Sequence, residues 1–417
     1  MKLVAFTTVV LLAFLIGAHL RERAGAALRR AWWALAAIAI GVPALRMARV
    51  MALNLRVPTE WDFLTYWFGA RVAARGLNFY DPAIYQSQPL PIAHPTYGFV
   101  TEILQVGYAY PPTSMLLMLP LGWFEYSTAF AIWYAVTTLA LGTAIAILWR
   151  MFFARGTAAD LTVLVGLALL FKPTFDTVRW GQSSFLILLV FTLAYRMRDR
   201  ALGPAWLALG FTLKPFVVGP LAWFALRGRW RGLALAALTL GLLMAAAVGL
   251  FGWDTCSGFF RKGALGRYAP HMYTQEINQS LIAVTLRALG APGLGQSAAA
   301  TWIVGAGLLA IAAGTALAVW RGGAAGAAWS FGAVVLAVLL AYPHSLDHYS
   351  IVALPAWLAL WSGRDRVPGG PAFAIGAITA FYLLHAWNAG DAVFVARLML
   401  WITMVALACR TPRDAIA

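Results

Sequence analysis

Thirteen apolar runs joined by short polar links decide what this chain can fold into. They lie near residues 3–20, 31–53, 127–149, 158–172, 181–195, 202–213, 216–226, 232–251, 297–319, 325–342, 348–361, 371–387 and 392–409. A helix needs about 20 apolar residues to cross a bilayer, and fewer where neighbours shield it. The series therefore reads as an all-α polytopic membrane protein with about 11–13 transmembrane helices. Composition agrees: 62% of residues are hydrophobic and 11% charged, where a soluble domain carries about 45–50% and about 25%. Runs 202–213 and 216–226 are too short for independent spans, so a hairpin turning at Lys214-Pro215 or one kinked span is expected. Run 3–20 has one Lys before it, four Arg just after it and no small-residue cleavage site, and reads as a retained helix. The whole of 1–417 is expected to form a single integral membrane domain, with a first outer loop at 54–126 and a second at 251–296.

The formal net charge of +16 invites a nucleic-acid reading, but the Arg residues come as short clusters between apolar runs. Clusters of that kind set membrane topology. Seventeen of the 31 Lys and Arg residues fall on one side of the layout, which makes that side cytoplasmic. Ten of the 15 acids fall on the other, so a site facing the extracytoplasmic space is expected. Cys256 and Cys409 lie on opposite sides and do not pair. Two cysteines exclude a disulfide framework or a zinc site of the usual ligand set. No Gly-rich phosphate loop and no His-Glu-x-x-His motif is present.

The stretch from Asn54 to Pro112 is too polar and too broken by Pro and Gly to span. Thr59-x-x-Asp62 fits a capping box ahead of an amphipathic stretch, Trp61 to Arg75, closed by Gly76. Phe63, Leu64, Trp67 and Phe68 can face lipid while Arg71 and Arg75 reach headgroups, so this segment is expected to be an interfacial helix. Asp62, directly after a span, is placed to act as a general base on a lipid-linked substrate at the membrane surface. As a capping residue it also has a purely structural reading. Glu60-x-Asp62 resembles a metal-binding acidic pair, yet no further ligand sits nearby in sequence, so a divalent ion is possible but not implied, and no other cofactor is expected. Lys172, Arg179 and Lys214 lie at the ends of apolar runs, where they can form a cationic pocket for a phosphate or simply snorkel. His344, Asp347 and His348 sit at a Pro-marked break, suited to hydrogen bonding toward phosphate or sugar or to interface packing.

Several motifs come in a suggestive order: Asp62 in the first outer loop, Gly76-x-x-Phe79-Tyr80-Asp81-Pro82, and Tyr110-Pro111-Pro112. Lys172-Pro173 with Gly181-Gln182-Ser183-Ser184 follows, then Leu209-Gly210-Phe211-Thr212-Leu213-Lys214-Pro215. Together, over about residues 31–361, they resemble glycosyltransferase family 87, the bacterial group that contains polyprenol-phosphate-mannose-dependent alpha-mannosyltransferases of the GT-C membrane fold. The resemblance implies a multi-pass enzyme of the bacterial inner membrane, with its active site facing the periplasm. Its donor would be a polyprenyl-phosphate sugar, mannose by default, with arabinose, galactose or glucose needing the same groups. Its acceptor would be a lipid or glycan of the cell envelope. By resemblance, Asp62 deprotonates the acceptor hydroxyl, which attacks the anomeric carbon with inversion. Lys172, Arg179 and Lys214, with His344 or His348, would meet the donor phosphate. Tyr110 and Gln182, together with Glu60 and Gln279 from the outer loops, would bind sugar or acceptor.

A transporter or flippase of a lipid-linked or small polar solute is the main alternative. It calls for ionisable groups near the bilayer midplane and on both faces, whereas the candidates here gather at one rim. A non-enzymatic envelope scaffold leaves Lys214 inside an apolar hairpin unexplained. A ligase moving a whole glycan from a lipid pyrophosphate fits the small outer loops less well.

Overall fold

A computed structural model describes residues 2–21, 25–57, 62–88, 107–153, 156–261, 273–324, 326–387 and 391–411. In chain order the first helices are α1 (Lys2–Leu20), α2 (Ala26–Arg56), α3 (Asp62–Ala74), α4 (Pro82–Ser87), α5 (Pro112–Met118) and α6 (Tyr126–Phe152). Next come α7 (Ala158–Leu170), α8 (Lys172–Trp180), α9 (Ser184–Arg196), α10 (Leu202–Gly210), α11 (Leu221–Leu226), α12 (Trp230–Phe251) and α13 (Trp253–Arg261). The chain closes with α14 (Leu281–Ala288), α15 (Ala298–Gly322), α16 (Ala327–Ala341), α17 (Leu354–Ser362), α18 (Gly370–Trp387) and α19 (Ala392–Arg410). No strand occurs among the described residues, so the protein is an all-α polytopic membrane protein.

Each of the thirteen apolar runs contains helix, but they divide into two kinds. Among the described residues α2, α6, α12, α15, α18 and α19 are long and apolar enough to cross a membrane alone. Helices α7 and α8 would make a seventh span if taken together, bent by 60° at Phe171. Pro173 opens α8 and cannot continue the α7 ladder, which accounts for the break. Of the others, α9, α16 and α17 are buried largely by their neighbours, whereas α1 leaves Phe6, Val9, Leu12, Ile16 and Leu20 exposed. The hairpin at Lys214-Pro215 is present: α10 ends at Gly210, Lys214 is extended, and a 3-10 turn from Pro215 to Val218 leads into α11.

Helix α3 corrects the expectation that its apolar residues face lipid. It runs from Asp62 to Ala74 and Gly76 follows in the left-handed region, as the sequence suggested, but the helix is buried almost all round. Phe63, Leu64, Trp67 and Phe68 are buried within the protein rather than turned to lipid. The apolar residues ring the helix instead of forming one stripe, so a flat interface could not cover them. Helix α5 and the 3-10 turn Leu119–Trp123 cover α3 on one side and α6 on another. The approach is close enough that a Cβ on Gly122 would fall within 2.3 Å of the Ala70 carbonyl oxygen. Thr59, and with it the proposed capping box, lies outside the described residues.

Candidate active site

Four chain segments converge on Asp62. The carboxylate stands at the first position of α3, and Tyr66 sits one turn along. Gln182 arrives from the end of α8, where Gly181 takes φ +65° and its left-handed turn reverses the chain. That cap is locked: Gln182 N–H donates to the Thr177 carbonyl at 2.9 Å, and Trp133 Nε1 donates to the Gly181 carbonyl at 2.7 Å. The Tyr66 hydroxyl lies 3.3 Å from Gln182 Oε1 and 3.4 Å from Ser183 Oγ. Lys214 enters from the hairpin, buried, with Nζ donating to the Tyr110 hydroxyl at 3.2 Å. Its ammonium also stands over the rings of Tyr110, at 4.4 Å, and Tyr349, at 5.2 Å.

Electrostatics follow from that enclosure. Burial pushes the Asp62 carboxyl above the ordinary carboxylate range, while the Lys214 charge and the Gln182 side chain beside it pull the other way. Burial brings Lys214 down to about 8, resisted by Asp62. A carboxylate whose affinity for protons is raised by burial, beside a cation that favours its ionised form, is the setting a general base needs.

A second cluster lies along α8 and the 3-10 helix Asp347–Ala353. Lys172 Nζ is 2.5 Å from Asp176 Oδ2 and 4.0 Å from Asp347 Oδ2. Burial raises the Asp347 carboxyl to about 6. His348 joins the two clusters: it is buried, lies within electrostatic reach of both Lys214 and Lys172, and meets the Trp180 ring edge-on at 5.1 Å. Neither ring nitrogen of His348, nor Asp347 Oδ1, has a hydrogen-bond partner among the described residues. Buried polar atoms are nearly always paired, so three orphans on adjacent residues mark a place built for a polar ligand. His344 is buried against the Tyr273 ring at 4.6 Å, and burial with the Lys214 charge lowers its imidazole to about 4, so it is neutral at pH 7.

Arg397, on α19, holds the loop that carries these groups, and sequence reasoning passed over it. It is fully buried and donates to Ser345 Oγ at 2.8 Å, Ser350 Oγ at 2.7 Å and the Leu346 carbonyl at 2.9 Å. An Arg in the second turn of an apolar span was the signal available, since such a charge is retained only with partners.

The structure sorts the other candidates. Lys214, Tyr110 and Gln182 gather at Asp62. Lys172 belongs to the second cluster, so the three basic residues do not form one pocket. Arg179 is exposed on the outer face of α8. The Gln279 amide is engaged elsewhere, accepting from Phe394 N–H at 3.1 Å and donating to the Glu276 carbonyl, while its backbone N–H donates to the Ser345 carbonyl at 2.8 Å and its carbonyl accepts from Arg397 at 3.3 Å. Glu60 lies outside the described residues. No group of three or more His, Cys, Asp or Glu suited to a metal ion occurs among the described residues.

No curated protein and no solved structure matches the chain significantly. The model of glycosyltransferase family 87 matches residues 108–343. The matched region holds Tyr110, Lys172, Gln182 and Lys214, while Asp62, His344, Asp347 and His348 flank it. With more than half its length matched, this chain belongs to glycosyltransferase family 87 and is a membrane glycosyltransferase.

Proposed function

We propose that the protein transfers a hexose, mannose first among candidates, from a polyprenyl-phosphate sugar to a lipid or glycan acceptor at the extracytoplasmic face. Asp62 takes the proton of the acceptor hydroxyl as its oxygen attacks the anomeric carbon. The bond from that carbon to the phosphate oxygen breaks on the opposite side, and polyprenyl phosphate leaves with the electron pair. The product is inverted at the anomeric carbon. Lys214 keeps Asp62 ionised, and Lys172 with the neutral imidazole of His348 meets the charge that grows on the phosphate. Tyr66, Tyr110 and Gln182 supply hydroxyl and amide groups for the sugar. The observation that carries this reading is Asp62 within electrostatic reach of buried Lys214, with His348, whose ring nitrogens have no hydrogen-bond partner among the described residues, in reach of the same Lys214.

A donor comparison tests it. Purified protein is given radiolabelled mannose on polyprenyl phosphate or on a nucleoside diphosphate, with a membrane-lipid extract as acceptor. Label should move to lipid or glycan product from the prenyl donor alone. Transfer from the nucleotide donor, or no transfer from any prenyl-linked sugar, whether mannose, arabinose, galactose or glucose, would overturn the reading.

A further inference from the structure

The turn from Ser345 to Ser350 carries two sets of polar groups. Ser345, Leu346 and Ser350 are engaged by hydrogen bonds from distant parts of the chain. Both ring nitrogens of His348 and Asp347 Oδ1, between them, are buried with no partner among the described residues. One side chain supplies most of the engagement. All three guanidinium nitrogens of Arg397 donate into the turn: Nε to Ser350 Oγ at 2.9 Å, Nη1 to Ser345 Oγ at 2.8 Å, and Nη2 to Ser350 Oγ at 2.7 Å and the Leu346 carbonyl at 2.9 Å. Asp347 lies within electrostatic reach of the same guanidinium.

Ser350 passes the chain of hydrogen bonds on. Its oxygen has two lone pairs and both accept from Arg397, so its own O–H is left to donate to His385 Nε2, 2.7 Å away on α18. His385 Nδ1 stands 2.9 Å from the Phe381 carbonyl, which can only accept, so the ring proton is on Nδ1 and Nε2 is the acceptor. Donor order is therefore fixed from Arg397 through Ser350 and His385 to Phe381. The start of α19 is tied down as well. Asp391 pairs with Arg287 of α14, and Phe394 N–H donates to Gln279 Oε1 at 3.1 Å.

We propose that Arg397 is a positioning residue for sugar transfer: acting through Ser345, Ser350 and the Leu346 carbonyl, it fixes the turn so that His348 and Asp347 keep unpaired atoms available to substrate. A loose turn would let the imidazole and the carboxylate satisfy each other or nearby groups. Polar atoms held in place before substrate arrives cost no reorganisation in the transition state. The assignment rests on the reading that His348 meets the charge growing on the leaving phosphate. Lysine cannot replace Arg397, because donors on a single nitrogen do not reach two hydroxyls and a carbonyl at once. Arg397, Ser350 and His385 all lie beyond residues 108–343, so the family match assigns none of them a role.

The test compares the full-length protein in nanodiscs with Arg397→Lys, Ser350→Ala and the double variant, using a polyprenyl-phosphate sugar below every thermal midpoint. Elution profile and midpoint identify a variant that has failed to fold, and Ser350→Ala, the milder change, keeps the question open to measurement if Arg397→Lys does. Arg397→Lys is expected to lower kcat about 30-fold with the donor KM changed by less than about threefold, because misplacement is felt mainly in the transition state. Ser350→Ala should lower kcat about tenfold, and the double variant should be no slower than Arg397→Lys alone, as for residues that act as one unit. Backbone amide exchange over residues 344–350 should be about tenfold faster in Arg397→Lys, with α6 and α9 unchanged. A folded Arg397→Lys with native kcat, a loss confined to the thermal midpoint, or effects that multiply in the double variant would overturn the assignment. If the native chain transfers sugar from no prenyl donor, the donor reading falls and exchange still decides: a faster turn in Arg397→Lys keeps Arg397 as its anchor, and unchanged exchange removes it.

Discussion

Asp62 and Lys214 titrate as a pair, and the pH dependence of transfer should show it. A base must be ionised, so activity falls on the acid side as the raised Asp62 carboxyl takes up its proton. On the alkaline side it falls as Lys214, at about 8, loses its charge. Lys214→Met removes the charge that favours ionised Asp62, so the Asp62 carboxyl should rise further. The acid limb of kcat/KM is then expected to move to higher pH, the alkaline limb near 8 to vanish, and the rate at neutral pH to drop about tenfold or more. An acid limb that stays in place in Lys214→Met would show that the two groups do not interact. At this scale the sequence was informative where chemistry and position coincided. Asp62 stood out as a carboxylate at a membrane edge, and Lys214 as a cation inside an apolar hairpin. Their pairing was not legible, because the 151 intervening residues carry no periodic signal of which hairpin folds against which loop. Arg397 escaped notice for a related reason: its partners are mainly backbone carbonyls and Ser hydroxyls of a distant loop, which no motif announces.

Among the elements, α8 does the most to shape the site, and it is defined by its two ends. Pro173 turns it away from α7, and Gly181 turns the chain back toward Asp62. Gly181 combines φ +65° with tight packing, for a Cβ there would lie 2.7 Å from both Phe63 Cβ and a Phe130 ring carbon. Gly181→Ala should therefore cost about 2–4 kcal/mol, from the left-handed backbone and the overpacking together. Since Phe63 adjoins Asp62 and Gln182 adjoins Gly181, kcat should fall as well. A lowered thermal midpoint measured with a falling kcat would bear this out; a variant matching the native protein in both would contradict the tight cap. The amphipathic reading of α3 failed at this same scale. Hydrophobic spacing identified a helix and Gly76 marked its end, but spacing alone does not distinguish lipid from protein as the covering phase. Only the packing of α5, α6 and the turn at Gly122 settles that choice.

For the molecule as a whole, the charge layout makes a claim about orientation. On the proposed orientation the Arg clusters lie in the cytoplasm and Ser87 lies outside. In a variant with Cys256 and Cys409 replaced by Ser, a single cysteine at Ser87 should react with a membrane-impermeant maleimide in intact spheroplasts. One at Arg200 should react only after lysis. The reverse pattern would place the candidate site in the cytoplasm and remove the prenyl-phosphate donor from consideration. Polytopic class and helix positions were legible at this scale, because bilayer thickness imposes a length on apolar runs. The division into full spans and short internal helices was not, since shielding by neighbours exists only once the bundle is formed. The most direct test of the whole mechanism is transfer of radiolabelled mannose from polyprenyl-phosphate-mannose by the native chain and by Asp62→Asn, both shown to be folded by elution profile. Loss of about 10²–10⁴-fold in rate, with donor binding retained, is the expected result for a general base. An Asp62→Asn variant that transfers sugar at the native rate would contradict it, leaving Asp62 as a helix cap and the base to be found elsewhere.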